Sequence, residues 1–308
     1  MSRVLFLSGG TGTPKLLQGA TRLLNPEAIS IIGNTGDDWQ FYGLYVSPDI
    51  DSLLFTLTDL IDDTKWWGIQ GDTFKLVEFL RTHLQEDVWF NLGHFDAGLC
   101  LFRSHLLTQG NTLTEATGIV RKRLNIKSSI LPMSNQRIQT KVRTPDGTLH
   151  LQEFWVKYRG AREVQDVFYD GDLTTTTSAV TESIKRADLI VIGPGNPVSS
   201  LGPILAIHPL RDALRSTTGY RLAISPIIGN HPVSGPTGAF LKSWNIPTSP
   251  MAIITLFGDI IDGFMIHDSD ENLSERIKKH NITPLVDDIL IHSVTDAERL
   301  MQKILDSR

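Results

Sequence analysis

Val4-Leu5-Phe6-Leu7-Ser8-Gly9-Gly10-Thr11-Gly12-Thr13-Pro14-Lys15 decides how the chain is read. Four apolar residues end in a glycine turn, and a helical pattern follows from about Pro14. Strand, glycine turn, helix is a common way to seat a phosphate. Glycines let a ligand approach the backbone closely. A helix that starts just after the loop offers free N–H groups and a positive dipole end to an anion. Pro14 fits the first helical turn, where its missing N–H costs little. The spacing is neither a Walker loop nor G-x-G-x-x-G, because Thr13, Pro14 and Lys15 follow Gly12. The alternative is a tight turn without a ligand.

Four further apolar runs read as buried parallel strands: Ala28–Ile32, Leu189–Ile192, Leu222–Ile224 and Ile253–Leu256. Helical patterns such as Lys15–Leu24 and Thr181–Arg186 lie between some of them. The alternation implies an α/β, Rossmann-like, doubly wound and mostly parallel sheet, with ligands at the C-terminal strand ends. The middle of the chain differs. Phe74–His83, Ala97–Leu107 and Thr114–Leu124 read as helices. Residues 138–167 alternate around Pro145-Asp146-Gly147, which predicts a hairpin. On this reading His150, Gln152 and Phe154 share one strand face. Residues 1–60 and 176–308 are expected to form a Rossmann-like nucleotide-binding domain, and 61–175 an inserted helical plus β-hairpin subdomain. Thr295–Asp306 reads as a closing helix that starts near Thr295 or Asp296.

The 308 residues are 41% hydrophobic and 20% charged, ordinary for a globular chain. A net charge of −5 argues against a general nucleic-acid binder. No apolar run approaches the ~20 residues of a membrane span. One cysteine, Cys100, excludes an intramolecular disulfide and cysteine metal clusters. With no signal-peptide pattern at the N-terminus, a cytoplasmic setting is expected.

The second glycine turn, Gly33-Asn34-Thr35-Gly36-Asp37-Asp38, follows a strand, and Asp51 comes thirteen residues after Asp38. Carboxylates on neighbouring loops suit Mg²⁺, a hard cation that keeps room for phosphate oxygens. Asp51 could instead cap the helix that follows. A third loop, Gly193–Ser200, ends the strand Leu189–Ile192. Its glycines, Asn196, Ser199 and Ser200 can donate to a phosphate, although a structural Pro/Gly turn explains the same residues. No G-x-S-x-G or H-E-x-x-H motif is present. His83, His94 and His105 read as surface or packing residues. Trp66-Trp67 could stack on a ring ligand or pack in the core.

Eight segments in order resemble the 2-phospho-lactate transferase family of coenzyme F-420 biosynthesis. They are SGGTGTPKLL (Ser8–Leu17), NTGDD (Asn34–Asp38), SPDIDSLLFTL (Ser47–Leu57), WFNLG (Trp89–Gly93), ILPMS (Ile130–Ser134), LHLQEFWVKYRG (Leu149–Gly160), IGPGNPVSSLGPILA (Ile192–Ala206) and AISPIIGNHPVSGP (Ala223–Pro236). The resemblance implies transfer of a phospho-acid from a GDP-linked donor to the ribityl hydroxyl of 7,8-didemethyl-8-hydroxy-5-deazariboflavin. GMP leaves, Mg²⁺ assists, and a homodimer is expected. It implies Asp37 and Asp51 as metal ligands and catalytic carboxylates, with Asp51 also near the deazaflavin acceptor. Gly9, Gly10, Thr11, Gly12 and Thr13, together with Gly193, Asn196, Ser199 and Ser200, would hold the donor nucleotide. Asn91 stands where the family often carries a Lys or Arg linked to the deazaflavin. His94 and Phe95 replace an Asp and an Arg, and Asn135 and Gln136 replace two acids. A related family of nucleotide-sugar-binding metabolic regulators shares the first two loops and is the alternative. Trp155–Gly160 and Gly193–Ala206 favour the transferase.

Overall fold

A computed structural model describes residues 2–307. Seven strands form one parallel sheet, in the order Thr283–Val286, Gly263–Ile266, Tyr220–Ile224, Leu189–Ile192, Val4–Ser8, Ile29–Gly33, Ser129–Pro132. Period-two alternation sends Leu5 and Leu7 into one core layer and Val4 and Phe6 into the other. Both layers are covered by helices, which is why the strands are apolar on both faces. The fold is an α/β Rossmann-like one. From Val4–Ser8 the chain builds outward to Ile29–Gly33 and Ser129–Pro132. It then returns to the other side at Leu189–Ile192. The sheet therefore reverses direction between Val4–Ser8 and Leu189–Ile192, the place where such folds open a crevice.

The Gly12–Leu23 helix follows the first strand, and the Val294–Asp306 helix packs against it. Ser293 Oγ accepts from the Asp296 N–H at 3.2 Å and the Ser293 N–H donates to the Asp296 carboxylate at 2.9 Å, a capping box, so the helix starts at Val294, one residue ahead of the expected Thr295. The middle of the chain supplies the helices Lys75–His83, His94–Thr108 and Leu113–Arg123. It also supplies an antiparallel sheet, Gly147–His150, Ile138–Thr144 and Asp166–Gly171.

Several expectations need correction. Ile253–Leu256 is not a strand but part of the Met251–Phe257 helix. A run of four residues is too short for its period to separate the two. The strands on that side are Gly263–Ile266 and Thr283–Val286 instead. The segment 61–175 is not wholly outside the main sheet, since Ser129–Pro132 pairs with Ile29–Gly33. The alternation after the hairpin ends at His150, and Glu153–Lys157 forms a π-helical turn. Phe154 is buried there against Phe240, so His150, Gln152 and Phe154 share no strand face. Among the described residues no helix is long and apolar enough to cross a membrane.

Candidate active site

The two glycine loops meet at the switch point because they leave the two strands that flank it. A Cβ on Gly9 would lie 2.5 Å from the Ser200 carbonyl oxygen, and one on Gly12 2.7 Å from that of Pro194. A Cβ on Gly195 would in turn lie 2.6 Å from the Gly9 oxygen. Gly10 has φ +68°, which a side chain rarely adopts. The glycines are therefore required by contact between the loops. Gly9 and Gly10 thus lie against Ser200, Gly12 against Pro194, and Gly193 against Thr13. Asn196 folds its own loop: its Oδ1 accepts from the N–H groups of Val198 at 2.9 Å and Ser199 at 3.1 Å. Among the described residues its buried Nδ2, and the buried hydroxyls of Thr13 and Thr35, have no hydrogen-bond partner. Such donors are rare unless a ligand or water takes them.

The second loop joins the same place. Asp49 accepts from the Gly10 N–H at 2.8 Å and from Asn34 Nδ2 at 2.8 Å. Asn34 Oδ1 accepts from Gly36 N–H at 2.8 Å and so shapes the turn. Asp37 follows, and its buried Oδ1 has no partner among the described residues. Burial and then the neighbouring Asp49 push the Asp37 carboxyl well above its ordinary range. Burial also raises Asp49, to about 6. Asp38 points elsewhere: it accepts from Tyr45 Oη at 2.9 Å and Ser47 Oγ at 2.7 Å. Burial raises Asp38 strongly despite those donors.

Asp51 lies inside the Pro48–Thr56 helix, whose N-cap position is Ser47, so it is not the cap. It is ion-paired to Arg103, which binds both carboxylate oxygens, one of them at 3.1 Å. Arg103 is 1% exposed and Asp51 3%. Asp96 and Cys100, two helical turns and one turn before Arg103, complete the cluster. The ligand atoms of Asp51, Asp96 and Cys100 lie within 4.8 Å of one another. Burial, then Asp51, raises Asp96 to about 8. Burial also pushes the Cys100 thiol far up.

For a hard cation such as Mg²⁺ the fitting donors are Asp37, with its orphaned oxygen, and Asp49 beside it. Asp51 is different. Both its oxygens face a guanidinium, and its other neighbours are the Cys100 thiol, a poor magnesium ligand, and the Asp96 carboxyl. Sequence singled out Asp37 and Asp51 but not Asp49, Asp96 or Arg103. A buried Arg on an otherwise apolar helix face was the available signal, because it needs an acid partner.

The remaining sequence candidates are exposed or half-buried. Asn91 is exposed and accepts from Arg81 at 3.0 Å. His83, His94, His105 and Phe95 are exposed. Asn135 ties down the Leu113–Arg123 helix by accepting from Thr114 N–H at 2.9 Å. Trp66 and Trp67 are neither core nor a stacked pair; Lys15 and Lys65 lie over their rings.

A parallel sheet with glycine loops and carboxylates at its switch point defines an α/β protein of the Rossmann-like class. Two crystal structures of a Bacillus halodurans protein, one titled as a UPF0052 family member, share this fold. They show TM-scores of 0.64 and 0.63 at 18% and 17% identity, each covering 99% of both chains. Within that class the family is specific: the model "2-phospho-L-lactate transferase CofD" matches residues 4–304. A 2-phospho-L-lactate transferase of Methanococcus maripaludis strain S2 is 37% identical over 99% of this chain and 98% of its own. That of Methanocaldococcus jannaschii is 36% identical over 98% and 97%. The chain belongs to the 2-phospho-L-lactate transferase family.

Proposed function

We propose that the protein transfers a phospho-acid, 2-phospho-L-lactate or a close analogue, from a GDP-linked donor to the ribityl hydroxyl of the deazaflavin. The observation that carries this reading is the interlock of the Gly9–Thr13 and Gly193–Ser200 loops beside Asp37 and Asp49. An anion held there meets the free N–H groups of a helix start and the unpartnered Thr13 and Asn196 donors. Mg²⁺ held by Asp37 and Asp49 would neutralise charge on the transferred phosphate.

In the reaction the ribityl oxygen bonds to phosphorus, the bond from phosphorus to the GMP oxygen breaks, and GMP leaves. The hydroxyl proton passes to a carboxylate. Asp51 takes that role here, with Arg103 fixing its orientation through two hydrogen bonds. Such a transfer needs positioning and charge neutralisation rather than a covalent nucleophile. The one cysteine fits this, because burial suppresses its thiolate.

The test is incubation of the purified chain with the deazaflavin, Mg²⁺ and each GDP-linked phospho-acid. The reading requires a deazaflavin phosphodiester and one equivalent of GMP by mass spectrometry. Asp51→Asn should abolish turnover yet still bind GDP. Absence of product with every donor, together with tight binding of a nucleotide sugar, would transfer the reading to the regulator class.

A further inference from the structure

Lys15 lies in the first turn of the Gly12–Leu23 helix, directly after the first glycine loop. Its ammonium is 5.2 Å from the centre of the Trp66 ring. The side chain is half-buried, and burial alone pushes its pKa down. Among the described residues no carboxylate pairs with it. Lys65, in the loop that carries Trp66, is by contrast bonded to Asp62 at 2.7 Å. A partly desolvated ammonium without a counter-ion is costly, and an aromatic face offsets only part of that cost.

Trp66 has φ +61°, a backbone region that bulky side chains avoid. Its loop enforces that conformation. The Trp66 N–H donates to the Asp62 carbonyl at 2.7 Å, and the Asp62 N–H donates to that of Gly68 at 3.0 Å. The Gln70 N–H donates to the Leu60 carbonyl at 2.8 Å, and the Asp62 carboxylate accepts from the Thr64 N–H at 3.1 Å. Strain that the surroundings over-determine in this way marks a functional position. Here it places an electron-rich ring against the Lys15 ammonium, on the helix that follows the glycine loop.

We infer that Lys15 binds the donor's diphosphate at the Gly9–Thr13 loop, and that Trp66 is a positioning residue holding the Lys15 ammonium in place. This deepens the donor-binding reading above and rests on it. The ring fixes the charge without neutralising it, so the ammonium stays available to an anion. A carboxylate in Trp66's place would quench it.

The test is calorimetric titration of the full chain with GDP in the presence of Mg²⁺. Lys15→Met should weaken GDP about tenfold to a hundredfold, the range of a lost charge-assisted hydrogen bond, and Lys15→Arg should restore most of it. Trp66→Leu should weaken GDP less, and should add nothing once Lys15 is Met. Deazaflavin binding should not move in any of these variants. Lys15→Gln serves as a second neutral variant, with thermal unfolding as the fold check. A folded Lys15→Met or Lys15→Gln chain that binds GDP as tightly as the unaltered one overturns the inference and leaves the donor reading standing. An effect of Trp66→Leu that persists undiminished in the Lys15→Met background overturns the positioning role. Failure of the unaltered chain to bind GDP overturns the donor reading, and the inference with it.

Discussion

Arg103 reaches across from the His94–Thr108 helix and binds both carboxylate oxygens of Asp51 in the Pro48–Thr56 helix, with both side chains closed to solvent. Removing one partner leaves an uncompensated buried charge, which costs about 3–5 kcal/mol. Arg103→Leu should lower the unfolding free energy by that amount in a urea titration. Arg103→Lys should recover only part of it, since an ammonium cannot make the paired contact. A loss under 1 kcal/mol for Arg103→Leu would show that the pair contributes little.

Gly9→Ala should cost GDP affinity more than tenfold, because its Cβ would meet the Ser200 carbonyl at 2.5 Å and drive the two loops apart. Gly98→Ala is the control. That glycine lies in a helix with no atom within 4 Å of a built Cβ, so the change should leave binding intact and add up to ~1 kcal/mol of stability. Equal GDP affinities in the two variants would argue against contact between loops as the source of the glycine requirement.

Asp96 sets a pH dependence of stability. Its carboxyl is raised from 3.8 to about 8, chiefly by burial and next by Asp51. The folded chain therefore holds a proton there that the unfolded chain has released. The contribution is complete below pH ~4 and is lost as pH rises through about 8. Asp96→Asn mimics the protonated form and should flatten this fall. Comparing unfolding free energies of the two chains from pH 4 to 9 reads it directly; parallel curves would refute the assignment.

Cys100 should resist alkylation in the native state. Its thiol is buried and pushed far up by that burial and by Asp51, so little thiolate exists at neutral pH. Iodoacetamide should label it only after denaturant is added, at a rate limited by unfolding. Rapid labelling of the folded chain would contradict this environment.

The architecture was largely legible because a strand buried on both faces has few other ways to read, as in Val4–Leu7 and Leu189–Ile192. Gly263–Ile266 escaped notice because it is short and begins with a glycine. Thr283–Val286 carries Pro284, which is tolerable because the strand lies at the sheet edge. The phosphate loops could be found since glycine spacing is a local signal. The Asp51–Arg103 pair could not, since it joins residues on different helices. Nor could Asp49 be told from Asp51: the two differ by two positions on one helix, which points them at different neighbours. The altered positions Asn91, His94, Phe95 and Asn135 proved to be surface or helix-tethering residues.

The interlocked glycine loops also bear on how the chain folds. Gly9 and Ser200 touch only after the middle of the chain has been threaded out to one sheet edge and brought back. Contacts of such long sequence separation form late and slow folding. A chain interrupted before Leu189–Ile192 would carry the first loop without its other wall. Nucleotide recognition is then a property of the finished sheet alone. A ligand bound there should raise the free energy of global unfolding rather than steady one lobe.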